Sequence, residues 1–264
     1  MRSLARISIV QTAAFAVALF LTSPPVWSKD TKSNNTETTV KGGVKFGSNF
    51  SYGPASSFDL SFKEEAKITR GAHKVENLAE LYSYYWGGPD GPVQRLKDKR
   101  KLEIKYLYNI FQHWSPFFGY EFRQETSLKN GSDFVKKSQN ADFGVRFENA
   151  LAGFIYLQLE SGYRQAYEKT TASPNVGVPK LRNFASLYFY AGGLNWGFWG
   201  NHLAPFEDLS DYVIDFGPDL SYNLPGTSFY LGLTASATLV PQPLYEGDTR
   251  FKVWSGSFYG GFKF

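Results

Sequence analysis

Over residues 228–239 the sequence SFYLGLTASATL changes character at every step. Phe229, Leu231, Leu233, Ala235, Ala237 and Leu239 fall on one parity, and Ser228, Tyr230, Gly232, Thr234, Ser236 and Thr238 on the other. A β-strand sends successive side chains to opposite faces, so this segment has one greasy face and one polar face. In KLEIKYLYNI, Leu102, Ile104, Tyr106, Tyr108 and Ile110 oppose Lys101, Glu103, Lys105 and Asn109. In NADFGVRFE, Ala141, Phe143, Val145 and Phe147 oppose Asp142, Arg146 and Glu148. Segments of this kind recur about twelve times, near 39–52, 56–69, 74–87, 99–110, 116–127, 138–150, 153–169, 181–194, 196–203, 211–224, 227–240 and 250–264.

The start of the chain is different. Arg2 and Arg6 precede an apolar stretch through Leu21, then Pro24, Pro25 and Val26-Trp27-Ser28. That is a secretory signal layout, expected to be cleaved after Ser28; an uncleaved anchor helix is the alternative. KDTKSNNTETT, within 29–38, reads as a polar lead-in. No later stretch approaches 18 consecutive apolar residues, so no transmembrane helix is expected there. The chain has no cysteine, which rules out a disulfide scaffold. Of the formal charge of +4, the signal arginines supply two, so nucleic acid is not an expected partner. Aromatic residues make up 18% of the chain and charged residues 20%. A chain that is both fits strands placed between lipid and water.

The connections separate into two kinds. RGAH, FQHWS, LA, NW and PG are short; GGPDGPVQRLKDKR, SLKNGSDFVKKSQ, TTASPNVGVPKLR and PQPLYEGDTR are long and polar. Short turns at one end and long loops at the other predict an all-β fold, a transmembrane antiparallel up-and-down β-barrel over 39–264, with both termini periplasmic. Trp254 and Phe264 share a face ten residues apart, about 26 Å along the membrane normal for a strand tilted by about 40°. That spans the apolar band between two aromatic girdles. Trp114, Trp196 and Trp199 are expected at the periplasmic girdle, with Tyr85 and Trp86 at an outer strand end. Phe258, Phe262 and Phe264 are expected to close the barrel and to carry the signal read by the outer-membrane assembly machinery. A soluble β-sandwich is the competing fold, but it has no use for greasy aromatics on strand after strand.

With the apolar face in lipid, the charges fall inside. A turn at FQHWS sets Lys105 opposite Glu121, Glu103 opposite Arg123 and Lys101 opposite Glu125, with Ile104 against Phe122 and Tyr106 against Tyr120 outside. Arg146 is expected opposite Glu160, Asp142 opposite Arg164, Lys67 opposite Glu76 and Lys63 opposite Glu80. Such ladders either stiffen half of the barrel or line it for a polar solute. The other half has a hydroxyl and aromatic lining from Tyr188, Tyr190, Tyr230, Thr234, Thr238, Ser257 and Tyr259. Asp211, Asp215 and Asp219 recur there at every fourth position without a basic neighbour. Unpaired carboxylates must meet water, hold a cation, or reach Lys41 or Lys45 across the lumen.

A lipid-modifying enzyme needs a nucleophile with a histidine beside it. His73, His113 and His202 are the histidines, the first two expected in periplasmic turns, and no Gly-x-Ser-x-Gly elbow, phosphate loop or metal-spaced cluster is present. No enzyme, cofactor or metal is therefore expected. RLKDKRKLEIKYLYNIFQHWSPFFGYEFRQE, GVRFENALAGFIYLQLESGYRQAYE and the closing SFYGGFKF resemble the salt-induced outer-membrane barrels of uncharacterised function. That resemblance implies an outer-membrane location and an envelope-stress role. The sequence alone supports a monomeric barrel surrounded by outer-membrane lipid, either a narrow passive channel for ions or small polar solutes or a structural envelope protein. The alternatives are a lipid-modifying enzyme and an adhesin acting through basic loops (VQRLKDKRK, DFVKK).

Overall fold

The computed structural model describes residues 38–52, 57–86, 94–127, 134–170, 176–240 and 251–264; the expected signal segment and the lead-in up to 37 lie outside them. Twelve strands follow one another: β1 (Thr38–Tyr52), β2 (Ser57–Arg70), β3 (His73–Trp86), β4 (Gln94–Tyr108), β5 (Trp114–Ser127), β6 (Phe134–Ala152), β7 (Ile155–Lys169), β8 (Val176–Ala191), β9 (Leu194–Pro205), β10 (Val213–Asn223), β11 (Phe229–Leu239) and β12 (Phe251–Lys263). Each pairs antiparallel with the next and β1 pairs with β12, so the sheet closes into a barrel. Closure extends to the last residue: Gly42 N donates to Phe264 O at 2.9 Å and Phe264 N to Gly42 O at 3.0 Å. A closed sheet leaves no strand edge, the condition for strands to stand in hydrocarbon.

The barrel is inside-out relative to a soluble sandwich. On β12, Phe258 and Phe262 are each 54% exposed while Tyr259 between them is buried. Glu121, Asp142 and Arg146, by contrast, are each only 3% exposed. Most greasy side chains face outward and most charged ones inward, as the alternation requires.

The turns correct three expectations. β8 and β9 are joined by Gly192-Gly193, with φ of 56° and 87°, rather than by the expected NW. Two consecutive left-handed residues make the tight hairpin turn that matches strand twist, and glycine adopts them without strain. Trp196 then faces outward, stacked on Phe189 at 4.2 Å. Trp199 lies three residues further up β9 on the inner face, paired with Gly217, and not in the girdle.

The β4–β5 hairpin is centred on Gln112 instead of His113, closed by bonds from Ile110 N to Trp114 O at 3.2 Å and from Trp114 N to Phe111 O at 3.3 Å. Moving a turn centre by one residue moves every partner by two. Lys105 therefore faces Gly119, Glu103 faces Glu121 and Lys101 faces Arg123; on the lipid side Ile104 meets Tyr120 and Tyr106 meets Phe118. The expected Lys105–Glu121, Glu103–Arg123 and Lys101–Glu125 pairs are thus replaced. No side chain changes face, which is why the hydrophobic pattern does not detect the slip. The registers Lys67–Glu76, Lys63–Glu80, Arg146–Glu160 and Asp142–Arg164 form as expected.

The basic stretches expected in outer loops also move. Gln94–Arg100 and Phe134–Lys137 are strand residues of β4 and β6.

Inside, Tyr259 lies flat across Gly232, its direct partner on β11: a Cβ at Gly232 would sit 2.3 Å from the ring. Gly256 on β12 has no atom closer than 4.0 Å to such a Cβ. Gly232→Val is expected to lower barrel stability by about 1–3 kcal/mol through overpacking, and Gly256→Ala to leave it near wild type. Urea unfolding in lipid vesicles, read by the shift of the folded band on unheated gels, checks both.

Candidate functional site

The inner face divides into two unlike halves. From β3 to β8 it is a packed ion network. The Arg146 guanidinium donates to Glu160 at 2.6 Å and to Glu76 at 2.8 Å. Lys74 reaches Glu148 at 2.9 Å and Lys105 reaches Glu160 at 2.9 Å. Arg164 grips Asp142 with two bonds of 2.7 Å, and Arg182 adds a third at 2.7 Å. Lys101 sits 2.9 Å from Glu103 and 3.4 Å from Glu121; Glu121 also holds Arg123 at 3.2 Å and accepts from Asn140 at 2.8 Å.

Several bonds join strands that are not neighbours: β3 to β6 through Arg146–Glu76 and Lys74–Glu148, and β4 to β7 through Lys105–Glu160. Side chains from strands three apart in the ring meet, so the inner surface of this half is densely packed with charge. Two glycines permit the close packing. Gly144 and Gly162 face each other on β6 and β7, and a Cβ on either would strike backbone at 2.3 Å. The Phe117 ring lies over Gly144, with the Lys105 ammonium 4.9 Å from its centre. Phe117 pairs with Leu107, which is fully buried. Both are apolar residues on the mostly polar inward parity, as are Leu78 opposite Glu103 and Phe184 opposite Glu160, a sequence sign of an interior packed rather than flooded.

The other half, from β8 through β12 to β1 and β2, is open-textured. Asp59, Ser186 and Tyr259 are buried there, while Lys45, Asp215 and Asp219 are half-exposed; most of its side-chain hydrogen bonds go to neutral partners. Thr238 donates to Asp215 at 2.6 Å, and the Tyr259 hydroxyl donates to Asp219 at 2.8 Å. The Lys45 ammonium lies 3.1 Å from the centre of the Tyr259 ring. Lys45, Tyr259 and Asp219 therefore form a relay across three elements, with the ring between cation and carboxylate. Asn49 bonds Asp59 on the same wall.

Asp211 does not join Asp215 and Asp219. It lies outside β10, exposed, in the outer connection where Ser210 binds back to Asp208 at 3.0 Å and Asp211 N donates to Asp208 O at 3.1 Å. That local turn delays the strand until Val213, so the every-fourth-residue spacing ends one member early.

Two cavities flank the network. One of about 520 Å³ beside β1–β4 is lined by Lys41, Lys63, Glu65, Lys67 and Glu103 among others. The second, about 160 Å³, is lined by Arg123, Lys136, Arg164 and Lys180 with Glu125 and Glu168. Each touches the network, the first at Lys105 and the second at Asn140.

The histidines stand away from these cavities. His73 and His113 lie at short turns, bonded to the Tyr106 hydroxyl at 2.7 Å and to Glu148 O at 3.2 Å. His202, which the sequence did not place, faces outward on β9. Its Nδ1 meets Asn183 Nδ2 at 3.1 Å, and Asn183 Oδ1 accepts from Ser161 at 2.8 Å. Asparagine separates the hydroxyl from the imidazole, so Ser161 has no base in reach and the row is no nucleophile–base pair.

No protein-family model matches the sequence, and no curated protein matches it as a relative. Among solved structures the chain is similar to a NanC porin, with a TM-score of 0.50 and 8% identity, covering 83% of this chain and 98% of the porin. It is also similar to the translocator domain of the autotransporter NalP from Neisseria meningitidis, at a TM-score of 0.48 and 10% identity, covering 96% and 97% of the two chains. At such identity the likeness is one of architecture: the fold is that of an outer-membrane β-barrel.

Asp142 holds the buried Arg164 and the part-buried Arg182 at once, so Asp142→Asn takes the carboxylate from Arg182 and leaves Arg164 only Glu121 at 3.9 Å. A loss of about 3–5 kcal/mol is expected for breaking a buried ion pair, while Asp211→Asn in the exposed connection leaves stability unchanged. Equilibrium unfolding in vesicles measures the difference.

Proposed function

We propose that this protein is an outer-membrane channel through which ions or small polar solutes pass passively, along the β8–β12 and β1–β2 side of the bore. The observation that carries this reading is the contrast between the two halves. The charges of β3–β8 are neutralised against one another and many of them, such as Glu121, Asp142, Arg146 and Glu160, are buried. In the second half Lys45, Asp215 and Asp219 stay half-exposed and rest on a tyrosine ring and hydroxyls, while Lys63 and Glu65 pair with each other at 3.3 Å. Flat tyrosines over glycines keep that wall thin: Tyr259 over Gly232, Tyr230 against Gly261 and Tyr188 against Gly197. Asp215 and Asp219 give it negative charge and Lys45 positive charge, so a passing ion meets both signs.

A second reading is supported by the network itself: a barrel with half of its inner surface packed with ion pairs serves as a structural envelope protein. In both readings the chain lies in the bacterial outer membrane, with the short turns periplasmic and Phe264 at the periplasmic end presented to the assembly machinery. Kinship with the salt-induced barrels belongs to the same proposal. Because the basic stretches are strand residues, adhesion through basic loops has less support than the sequence suggested.

Planar-bilayer recording of the purified protein decides between the two. Discrete conductance steps are expected. Asp215→Asn combined with Asp219→Asn is expected to move the reversal potential in a salt gradient toward anion preference. Glu125→Gln, on the far wall, is expected to move it less. A silent bilayer with correctly folded protein overturns the channel and leaves the structural reading.

A further inference from the structure

The outward face carries a feature the channel does not use. Arg100 on β4 pairs with Gln124 on β5, Gln124 with Lys137 on β6, and Lys137 with Lys169 on β7. All four lie on the lipid-facing parity, and Arg100, Lys137 and Lys169 are exposed. None of the three cations is held by a carboxylate among the described residues. The nearby outward carboxylate, Asp98, is bonded by the Ser83 hydroxyl at 3.2 Å.

This contrasts with the inner face of the same strands, where cations and carboxylates are matched. Lys137 and Lys169 stand directly opposite each other, a like-charge pair that destabilises a ladder unless an anion lies between. The row is also one-sided: no outward position described in β8–β11 is Lys or Arg.

Its height is that of a membrane boundary. The next outward residues toward the opposite end are Leu102, Phe122, Gln139 and Tyr167, and below them Ile104 and Tyr120. Gln124 is ten residues from Trp114 on the same face of β5, about 26 Å along the normal. Flexible lysine stems lie along apolar surface while their ammonium groups reach the headgroup layer. Arginine clasps a phosphate with two parallel bonds and lysine adds point charge.

We propose that Arg100, Lys137 and Lys169, with the Gln124 amide between them, form a binding site for the phosphate groups of a phosphorylated glycolipid in the outer leaflet. The proposal rests on the outer-membrane reading above, with the long-loop end facing out. A bisphosphorylated headgroup bridging Lys137 and Lys169 removes their repulsion and ties four strands together at the rim.

The test uses the full chain in a non-ionic detergent, titrated with bisphosphorylated lipid A and followed by native mass spectrometry and by the temperature at which the folded gel band is lost. Wild type is expected to bind at least tenfold more tightly than the triple variant Arg100→Gln, Lys137→Gln, Lys169→Gln, and to gain thermal resistance on binding. Lys45→Gln, in the lumen, is expected to bind like wild type, and the dephosphorylated glycolipid to bind wild type no better than the triple variant. Should the triple variant fail to give a folded band, Lys169→Gln alone, at the end of β7, is expected to weaken binding severalfold. Equal binding by wild type and variant overturns the site, as does equal binding of the dephosphorylated lipid. Full competition by inorganic phosphate at the lipid's concentration overturns the lipid as its ligand. The titration needs no conductance: a protein that conducts but ignores the lipid sinks this site alone, and one that binds the lipid but is silent sinks the channel alone.

Discussion

Backbone hydrogen bonding without an edge is the constraint on which everything else in this barrel depends. In hydrocarbon an unpaired N–H or C=O costs several kcal/mol, so the first and last strands must find each other. They do so from Gly43–Lys263 to Tyr52–Trp254, and the reciprocal bonds between Gly42 and Phe264 continue the ladder to the final residue. Once the sheet is closed, alternation assigns every side chain to lipid or lumen, and the chemistry of each face follows from that assignment.

The lumen solves two packing problems differently. On the β3–β8 side, a polar interior is made dense by pairing charge with charge across non-neighbouring strands, with Gly144 and Gly162 letting backbones and the Phe117 ring come close. Buried ion pairs of this kind add little net stability relative to apolar packing, yet removing one partner is costly. Such a network makes the interior intolerant of single changes. On the β8–β12 side, tyrosines laid flat on glycines cover the wall, and hydroxyls hold Asp215 and Asp219 in place. The asymmetry is built from residue types that alternate identically along the strands; the identity of the inward residue decides which half is packed with charge.

The fold was largely legible because its signal is local. The twelve periods of alternation and the outward placement of most aromatic residues survive in the structure, with strand ends moved by a few residues. What was misjudged depends on turn geometry. Gly192-Gly193 carried the hairpin signature, but the following Asn195-Trp196 was the more conspicuous pair, so Trp199 was assigned to the girdle rather than to the lumen. The β4–β5 slip preserved every face and so left no trace in the pattern. Asp211 kept the spacing of its neighbours but not their strand, because the bonds from Ser210 to Asp208 form a turn that periodicity does not encode. The contacts between strands three apart, Arg146 with Glu76 and Lys105 with Glu160, lie beyond any neighbour-pairing rule, since they depend on the curvature of the barrel wall. The bonded row Ser161–Asn183–His202 was hidden likewise, since three polar residues on greasy parity look like isolated exceptions until register aligns them.

Cysteine accessibility along β11 tests the central division most directly, because the chain has no native cysteine. Single cysteines at residues 229 to 239, in protein reconstituted into vesicles, would be exposed in turn to a charged, water-soluble thiol reagent and to a lipid-soluble one. The account predicts that the positions of Thr234, Ser236 and Thr238 react with the charged reagent. Those of Leu231, Leu233 and Ala235 should react only with the lipid-soluble one. Uniform protection of the leucine positions from both reagents, as in a core packed against protein, would contradict it.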